Sequence, residues 1–178
     1  MVLTLVCSLF LQDSPKTDDD AIVFVPWDAW VRFEKGSWVR YRVESPSATI
    51  TGRTVLQAKN EELILLQSVQ KVKVGDGEFE TEPTPIELKP PSSRPEPCAT
   101  CKNLHRSNPK RGTEQLEVAG RKLRCVIVTD VVYDCQGKEI GRAQAWYSRD
   151  VPGWIVRMET TSPSGKVTHV CLEFEAKK

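Results

Sequence analysis

The sequence predicts an all-β protein with a minor α component, built as a single curved antiparallel sheet that is covered on one side. Turn signals at residues 119–120, 135–137, 151–153 and 162–165 divide the C-terminal third into short segments. These segments alternate apolar and polar side chains, which is typical of strands with one covered face. The clearest alternation sets Trp154, Val156 and Met158 against Arg157 and Glu159, and Val170, Leu172 and Phe174 against His169, Glu173 and Glu175.

Composition indicates one soluble globular domain. The 178 residues include 25 basic and 24 acidic side chains, for a net charge of +1. This balance gives no surface for nucleic acid or for an anionic membrane, so we expect neither as a partner.

The N-terminus favours export. Residues 2–11 form an apolar run of signal-peptide length, too short to span a bilayer. We interpret residues 1–25 as a signal segment whose first residues are missing, followed by a linker, and residues 27–178 as the domain. The alternatives are an N-terminal strand or a frayed tail, and a lipid anchor at Cys7, although Val6 is bulky for such a site.

The first half of the domain predicts a short helix and a meander. Trp27, Trp30 and Val31 share one face of a helix that starts after Pro26. Segments 37–44, 48–58 and 62–74 follow as strands that pair with their sequence neighbours. Segment 79–88 is interrupted by two prolines, which place it at an edge of the sheet.

A long loop at residues 89–112 separates this meander from a second one. The strands of the second meander are 114–118, 122–134 and 139–148. The longest of them is apolar on both faces, so we expect part of it to be covered on both sides. In segment 139–148 one face carries Gly141, Ala143, Ala145 and Tyr147. Small side chains there leave room for a helix, a loop or a ligand.

The loop holds the one chemical motif, Cys98 and Cys101 with His105 close behind. A zinc site needs four ligands, and this is half of such a motif, to be completed by Cys135 or His169. A redox disulfide is a second possibility and an incidental pair of thiols a third. No cofactor is expected apart from this possible zinc ion.

Catalytic motifs are missing from the sequence, so we expect a protein that is not an enzyme. There are two histidines, no Gly-x-Ser-x-Gly elbow, no His-Glu-x-x-His and no phosphate-binding loop. The alternation around His169 predicts a surface imidazole. Asp130 and Asp134 are expected to be solvated carboxylates.

Three stretches, residues 30–39, 116–125 and 146–153, carry a family likeness, the last through its Val-Pro-Gly turn. With their order around a Pro-rich loop, they resemble uncharacterised secreted or envelope proteins of bacteria whose layout is similar to the lipoprotein-carrier (LolA/LolB-like) superfamily. The resemblance covers residues 27–175. It implies a half barrel with an apolar inner wall and a short N-terminal helix lying in its mouth.

These observations lead to a functional hypothesis. The chain is expected to be a periplasmic or secreted envelope protein that binds a hydrophobic ligand, an acyl chain, a lipid or a lipoprotein, in the concave face. Trp27 and Trp30 would act as a plug. The expected ligand-binding residues are Trp27, Trp30, Tyr41, Ala143, Ala145 and Tyr147. The alternatives are a structural or interaction module that fills its own core, and a small zinc- or thiol-dependent protein that uses the Cys98 loop.

Overall fold

A computed structural model describes residues 25–91, 109–133 and 137–178 of the chain. Within them lie one helical turn and ten strands. The elements are α1 Asp28–Val31, β1 Trp38–Glu44, β2 Thr49–Lys59, β3 Ile64–Val74, β4 Gly77–Glu80, β5 Thr84–Leu88, β6 Lys110–Val118, β7 Arg121–Tyr133, β8 Glu139–Tyr147, β9 Ile155–Ser162 and β10 Gly165–Glu175. The prediction of an all-β fold with a minor helix is confirmed.

All ten strands belong to one antiparallel sheet in the order β4-β3-β2-β1-β10-β9-β8-β7-β6, with β5 beside β4 on β3. The two predicted meanders are both present, and the pairing of β1 with β10 joins them into one sheet. The predicted strand 79–88 is two short strands, because the chain leaves the ladder around Pro83 and returns with Pro85 on the sheet edge.

The sheet is strongly curved. Four strand spacings separate β10 from β6, which is about 19 Å in a flat sheet. Cα atoms of the two strands nevertheless approach within 8 Å. The guanidinium carbon of Arg121 on β7 also lies 5.0 Å from the ring centroid of Phe174 on β10. Among the described residues the edge strands do not pair with each other, so the sheet is open, as a half barrel requires.

The helical segment covers one end of the sheet, which we call the helix end. Trp27, Trp30 and Phe33 are buried there, together with the turn that precedes β9. Two backbone hydrogen bonds fix the segment: Gly153 N–H donates to the Ala29 carbonyl and Glu34 N–H donates to the Lys177 carbonyl. A single turn is unstable alone, so this packing holds it in place.

The opposite end of the sheet, the turn end, carries the β1–β2 and β9–β10 turns. These two turns touch, since a Cβ placed on Gly165 would lie 2.5 Å from Pro46 Cγ. In the described part of the chain, no helix is long and apolar enough to cross a membrane.

The long strand β7 has cover on both faces, as its sequence predicts. Leu123 and Cys125 are buried on one face, and Val126 and Val128 on the other. On the outer face of the neighbouring strand β8, Trp146 adds to this cover, and its indole Nε1 donates to Glu114 Oε2 at 2.7 Å.

Candidate functional site

The inner, concave face of the sheet holds one continuous row of cross-strand partners, which we call the middle row. From β4 to β7 it consists of Phe79, Val72, Ile50, Val43, His169, Met158, Ala145 and Val128. Its members face the same side because directly opposed residues of an antiparallel pair share a face.

Exposure changes along the middle row. Phe79 at the sheet edge is 57% exposed, whereas Ala145 and Val128 at the other end are buried. Between them Val72, Ile50, Val43 and Met158 are half-buried. The row is therefore an apolar strip that the described part of the chain covers only incompletely. From Phe79 to Met158 it crosses five strand spacings, or about 24 Å.

A small polar group includes His169 of the middle row and extends from it one step toward the helix end. The Tyr41 ring lies over Gly52, where an added Cβ would come within 2.5 Å of the hydroxyl oxygen. The Tyr41 hydroxyl accepts a hydrogen bond of 3.0 Å from the Gln70 amide. The same ring stacks on His169, with centroids 5.2 Å apart. We call Tyr41, Gln70 and His169 the polar group.

His169 is an inner-face residue, and the prediction of a surface imidazole is wrong. The pairing of β1 with β10 shifts between Arg40 and Tyr41, so that Tyr41 pairs with Cys171 instead of Leu172. This β-bulge changes the alternation and puts Phe174, Cys171 and His169 on one face. A periodicity of two cannot reveal a bulge, because the bulge depends on the partner strand.

The Nδ1 atom of His169 is buried and has no hydrogen-bond partner among the described residues. A buried polar atom in this condition costs about 1–3 kcal/mol. Burial also lowers the pKa of His169 from 6.5 to about 4, so the imidazole is neutral at physiological pH.

The inner face carries little charge. From β3 to β8 the middle row contains no carboxylate, ammonium or guanidinium group. The row beside it toward the helix end, Gln70, Gly52, Tyr41 and Cys171, contains none either. Beyond β8, Arg111 on β6 pairs with Val128 of the middle row, and Asp130 on β7 lies two residues from Val128 on the same face. Asp130 is 8% exposed and accepts a hydrogen bond from the Val131 N–H, so for this residue the expectation of a solvated carboxylate is wrong. Asp134 lies outside the described residues.

The outer face is ionic by contrast. Ion pairs join Arg40 to Glu173 and Lys166 to Glu159 across neighbouring strands. Arginine guanidinium groups also cover the two outer-face tryptophans: Arg53 lies 4.4 Å from the Trp38 centroid and Arg157 lies 5.1 Å from that of Trp146.

The structure separates the residues that were predicted to bind a ligand. Trp27, Trp30, Ala145 and Tyr147 are all buried in one core cluster, which they fill together with the β-strand residues of the helix end. Tyr41 belongs to the polar group. Ala143 is 2% exposed and pairs with Asp130 nearer the turn end. Four of the six predicted residues are therefore packed in the core.

Five residues of the exposed strip were not among the predicted ligand contacts: Val43, Ile50, Val72, Phe79 and Met158. The sequence contains a partial signal for them, because Val43 alternates with Tyr41 on β1 and Met158 with Val156 on β9. The missing information was the register, which aligns these positions into a single row.

The predicted metal ligands Cys98, Cys101 and His105 lie outside the described residues, as does Cys135. The residues that are described contain no group of three or more His, Cys, Asp or Glu side chains able to hold a metal ion. Two thiols, Cys125 and Cys171, are free and buried. Burial raises their pKa values to about 11 and about 12, which makes them poor nucleophiles at neutral pH.

Comparison with known proteins gives a fold likeness only. No family model matches the chain, and no curated protein matches it significantly. A candidate lipoprotein from Parabacteroides distasonis is similar in structure, with 11% identity and a TM-score of 0.43 over 80% of this chain and 96% of that one. A hypothetical protein from Chlamydia trachomatis has 8% identity and a TM-score of 0.41 over 81% of this chain and 88% of that one. At such low similarity, nothing about their roles is carried over to this chain.

Proposed function

We propose that this chain is a non-enzymatic envelope protein, periplasmic or secreted, that binds a hydrophobic ligand along the middle row of its concave face. The observation that supports this most is the half-exposed apolar strip from Phe79 to Met158. Large apolar patches that a soluble protein leaves accessible are commonly binding surfaces. A single acyl chain or a lipoprotein acyl group has the extended, apolar shape that such a strip fits.

The envelope location and the likeness to lipoprotein carriers remain part of this proposal. They rest on the apolar segment at residues 2–11 and on the resemblance of residues 27–175. The plug role expected for Trp27 and Trp30 is not part of this proposal, because both are packed core residues at the helix end. The proposed ligand therefore lies nearer the turn end.

A titration with N-phenylnaphthylamine, an uncharged probe that fluoresces in apolar surroundings, tests the proposal. We expect saturable binding to the full chain and copurified lipid detectable by mass spectrometry. Met158→Gln keeps the length of the side chain but makes it polar, and we expect it to weaken probe binding about tenfold, because burying such a side chain contributes about 1.5–3 kcal/mol.

Val31→Ala is the matched control. Val31 is an apolar residue, 37% exposed, on α1 at the helix end, and its truncation should leave probe binding unchanged. Absence of saturable binding and of any copurified lipid would contradict the proposal.

A second candidate function is a structural or interaction module that fills its own core. The observation in its favour is the dense packing of the helix end, where Ala29, Phe33, Leu56 and Val151 have no exposed surface. This candidate predicts a chain that binds no probe but unfolds cooperatively, so the same titration discriminates between the two.

The third candidate function, a zinc- or thiol-dependent protein using the Cys98 loop, is tested by metal analysis of the purified chain.

A further inference from the structure

We infer that the ligand of the concave face is an amphiphile with an uncharged hydroxyl-bearing head, and that the polar group binds that head beside the middle row. This inference rests on the proposed function and deepens it. It names the chemical class of the ligand, such as a fatty alcohol or a monoacylglycerol, and the residues that recognise it.

The position of the polar group makes it suitable for a ligand head. His169 is itself a member of the middle row, with Val43 and Met158 as its cross-strand partners. An alkyl chain lying on the strip therefore passes the imidazole directly. Tyr41 and Gln70 stand one step toward the packed helix end, where the strip meets the core.

The hydrogen-bonding capacity of the polar group is incompletely used. His169 Nδ1 is buried, and no residue in the described ranges forms a hydrogen bond with it. The Tyr41 hydroxyl accepts from Gln70, and within the described residues this is its one hydrogen bond, so its own proton is available for donation. A ligand head that restores these hydrogen bonds relieves a cost that the free protein bears.

A hydroxyl group satisfies this arrangement better than an ionised head does. A neutral imidazole nitrogen is either a donor or an acceptor, depending on the tautomer, and a hydroxyl can serve both. A carboxylate only accepts and an ammonium group only donates. Moreover, from β3 to β8 the middle row offers no counter-charge, and neither does the neighbouring row of Gln70, Gly52, Tyr41 and Cys171. An ionised head would therefore be desolvated without compensation.

The charged residues on β6 and β7 do not change the preference for an uncharged head. Asp130 on β7 and Arg111 on β6 are on the same face, but one is an acid and the other a base. The ionisable groups that face His169 from the packed elements are Tyr41 of β1 and, on its own strand, Cys171, whose pKa is raised by burial. The Cys171 thiol is therefore neutral at physiological pH.

Displacement of N-phenylnaphthylamine by three amphiphiles of equal chain length tests the inference. Decanol, decanoate and decylammonium are each titrated into the full chain at neutral pH. We expect decanol to displace the probe at a concentration at least about tenfold lower than either ion. His169→Phe retains a flat ring beside Tyr41 but has no ring nitrogen, and it should reduce this preference to near unity. Tyr41→Phe should reduce it in part.

Each outcome distinguishes the inference from the proposed function. If decanoate or decylammonium displaces the probe as well as decanol does, or if His169→Phe keeps the full preference, the inference is wrong while the proposed function stands. A probe that binds but yields to none of the three also contradicts the inference. A chain that binds no probe at all contradicts the proposed function, and the inference with it. Thermal unfolding of each variant confirms that it is folded, and Val31→Ala serves again as the control.

Discussion

The helix end and the turn end of the inner face are formed by the same strands, but only the helix end is covered by another segment of the described chain. At the helix end, α1 and the turn before β9 cover the strands, and residues such as Leu56 and Val156 are almost completely buried. Toward the turn end, Val43 and Met158 lie on the same face, two residues from the buried Tyr41 and Val156 of their own strands, and remain half-buried.

The difference shows what an apolar alternation determines and what it does not. It determines which side of a strand faces inward. It does not determine whether another segment covers that side, because cover depends on chain far away in sequence. Gly153 and Lys177, for instance, hold a segment that begins more than 120 residues earlier. The proposed ligand surface is the part of the inner face that this cover does not reach.

The largest expected effect comes from removing cover at the helix end. Trp30 is 6% exposed and lies against Gly153, so Trp30→Ala leaves a large cavity between α1 and the β9 turn. We expect a loss of about 3–5 kcal/mol in the free energy of unfolding, measured by denaturant titration. The adjacent Val31→Ala, on the exposed side of the same turn, should change it by less than about 0.5 kcal/mol. Equal effects for the two variants would mean that α1 does not cover the core.

The next largest effect is a pH dependence of stability that arises from His169 in the middle row. The folded-state pKa of His169 is about 4, below its ordinary value of 6.5, because of burial. The unfolded chain therefore binds more protons between these values, so stability falls as pH decreases from 6.5 to 4, by at most roughly 3 kcal/mol. His169→Phe should flatten this part of the stability profile. An unchanged profile in the variant would show that His169 does not titrate from a buried position.

A smaller effect tests the contact between the polar group and the sheet. Alanine at Gly52 would place a Cβ within 2.5 Å of the Tyr41 ring, which must move away from Gln70 and His169. We expect Gly52→Ala to destabilise the chain by about 1–3 kcal/mol in denaturant titration.

Gly112→Ala is the matched control, since Gly112 is also a strand residue and a Cβ added to it would have no other atom within 4 Å. It should change stability by about 0.5 kcal/mol or less. Similar losses for the two glycines would indicate that the effect arises from the strand backbone and not from Tyr41.

The sequence was sufficient for the fold class because its signals are local. The turn at Ala119 and Gly120, both at positive φ, is the type that joins two adjacent strands, and the dipeptide was recognisable. The inward set Ala143, Ala145 and Tyr147 also followed from alternation and is buried as a set. These features need only neighbouring residues.

The candidate site could not be predicted to the same extent because it depends on register. The bulge opposite Tyr41 brings His169 inward, and no feature of β10 alone indicates it. The pairing of β1 with β10 places Val43 beside His169, and these residues are far apart in sequence. Trp27 and Trp30 were expected to act as a plug, and their place in the packed core depends on the turn before β9, which no local pattern indicates.

The smallest expected effect concerns the outer face behind the exposed strip. Glu159 on β9 is 18% exposed and forms ion pairs with Lys166 and Arg157. The hydrogen bond from Lys166, together with Arg157, lowers the pKa of Glu159 below its ordinary value of 4.5. The two ion pairs therefore stabilise the fold above pH 4.5, and this contribution is lost as the pH falls below that value. Glu159→Gln should cost about 0.2–1 kcal/mol, and less at high salt. Glu44→Gln removes a more exposed pair with Arg42 and should cost less still. If Glu159→Gln lowers the free energy of unfolding as much as Trp30→Ala does, then the charges of the outer face, and not the packed helix end, stabilise the curvature of the sheet.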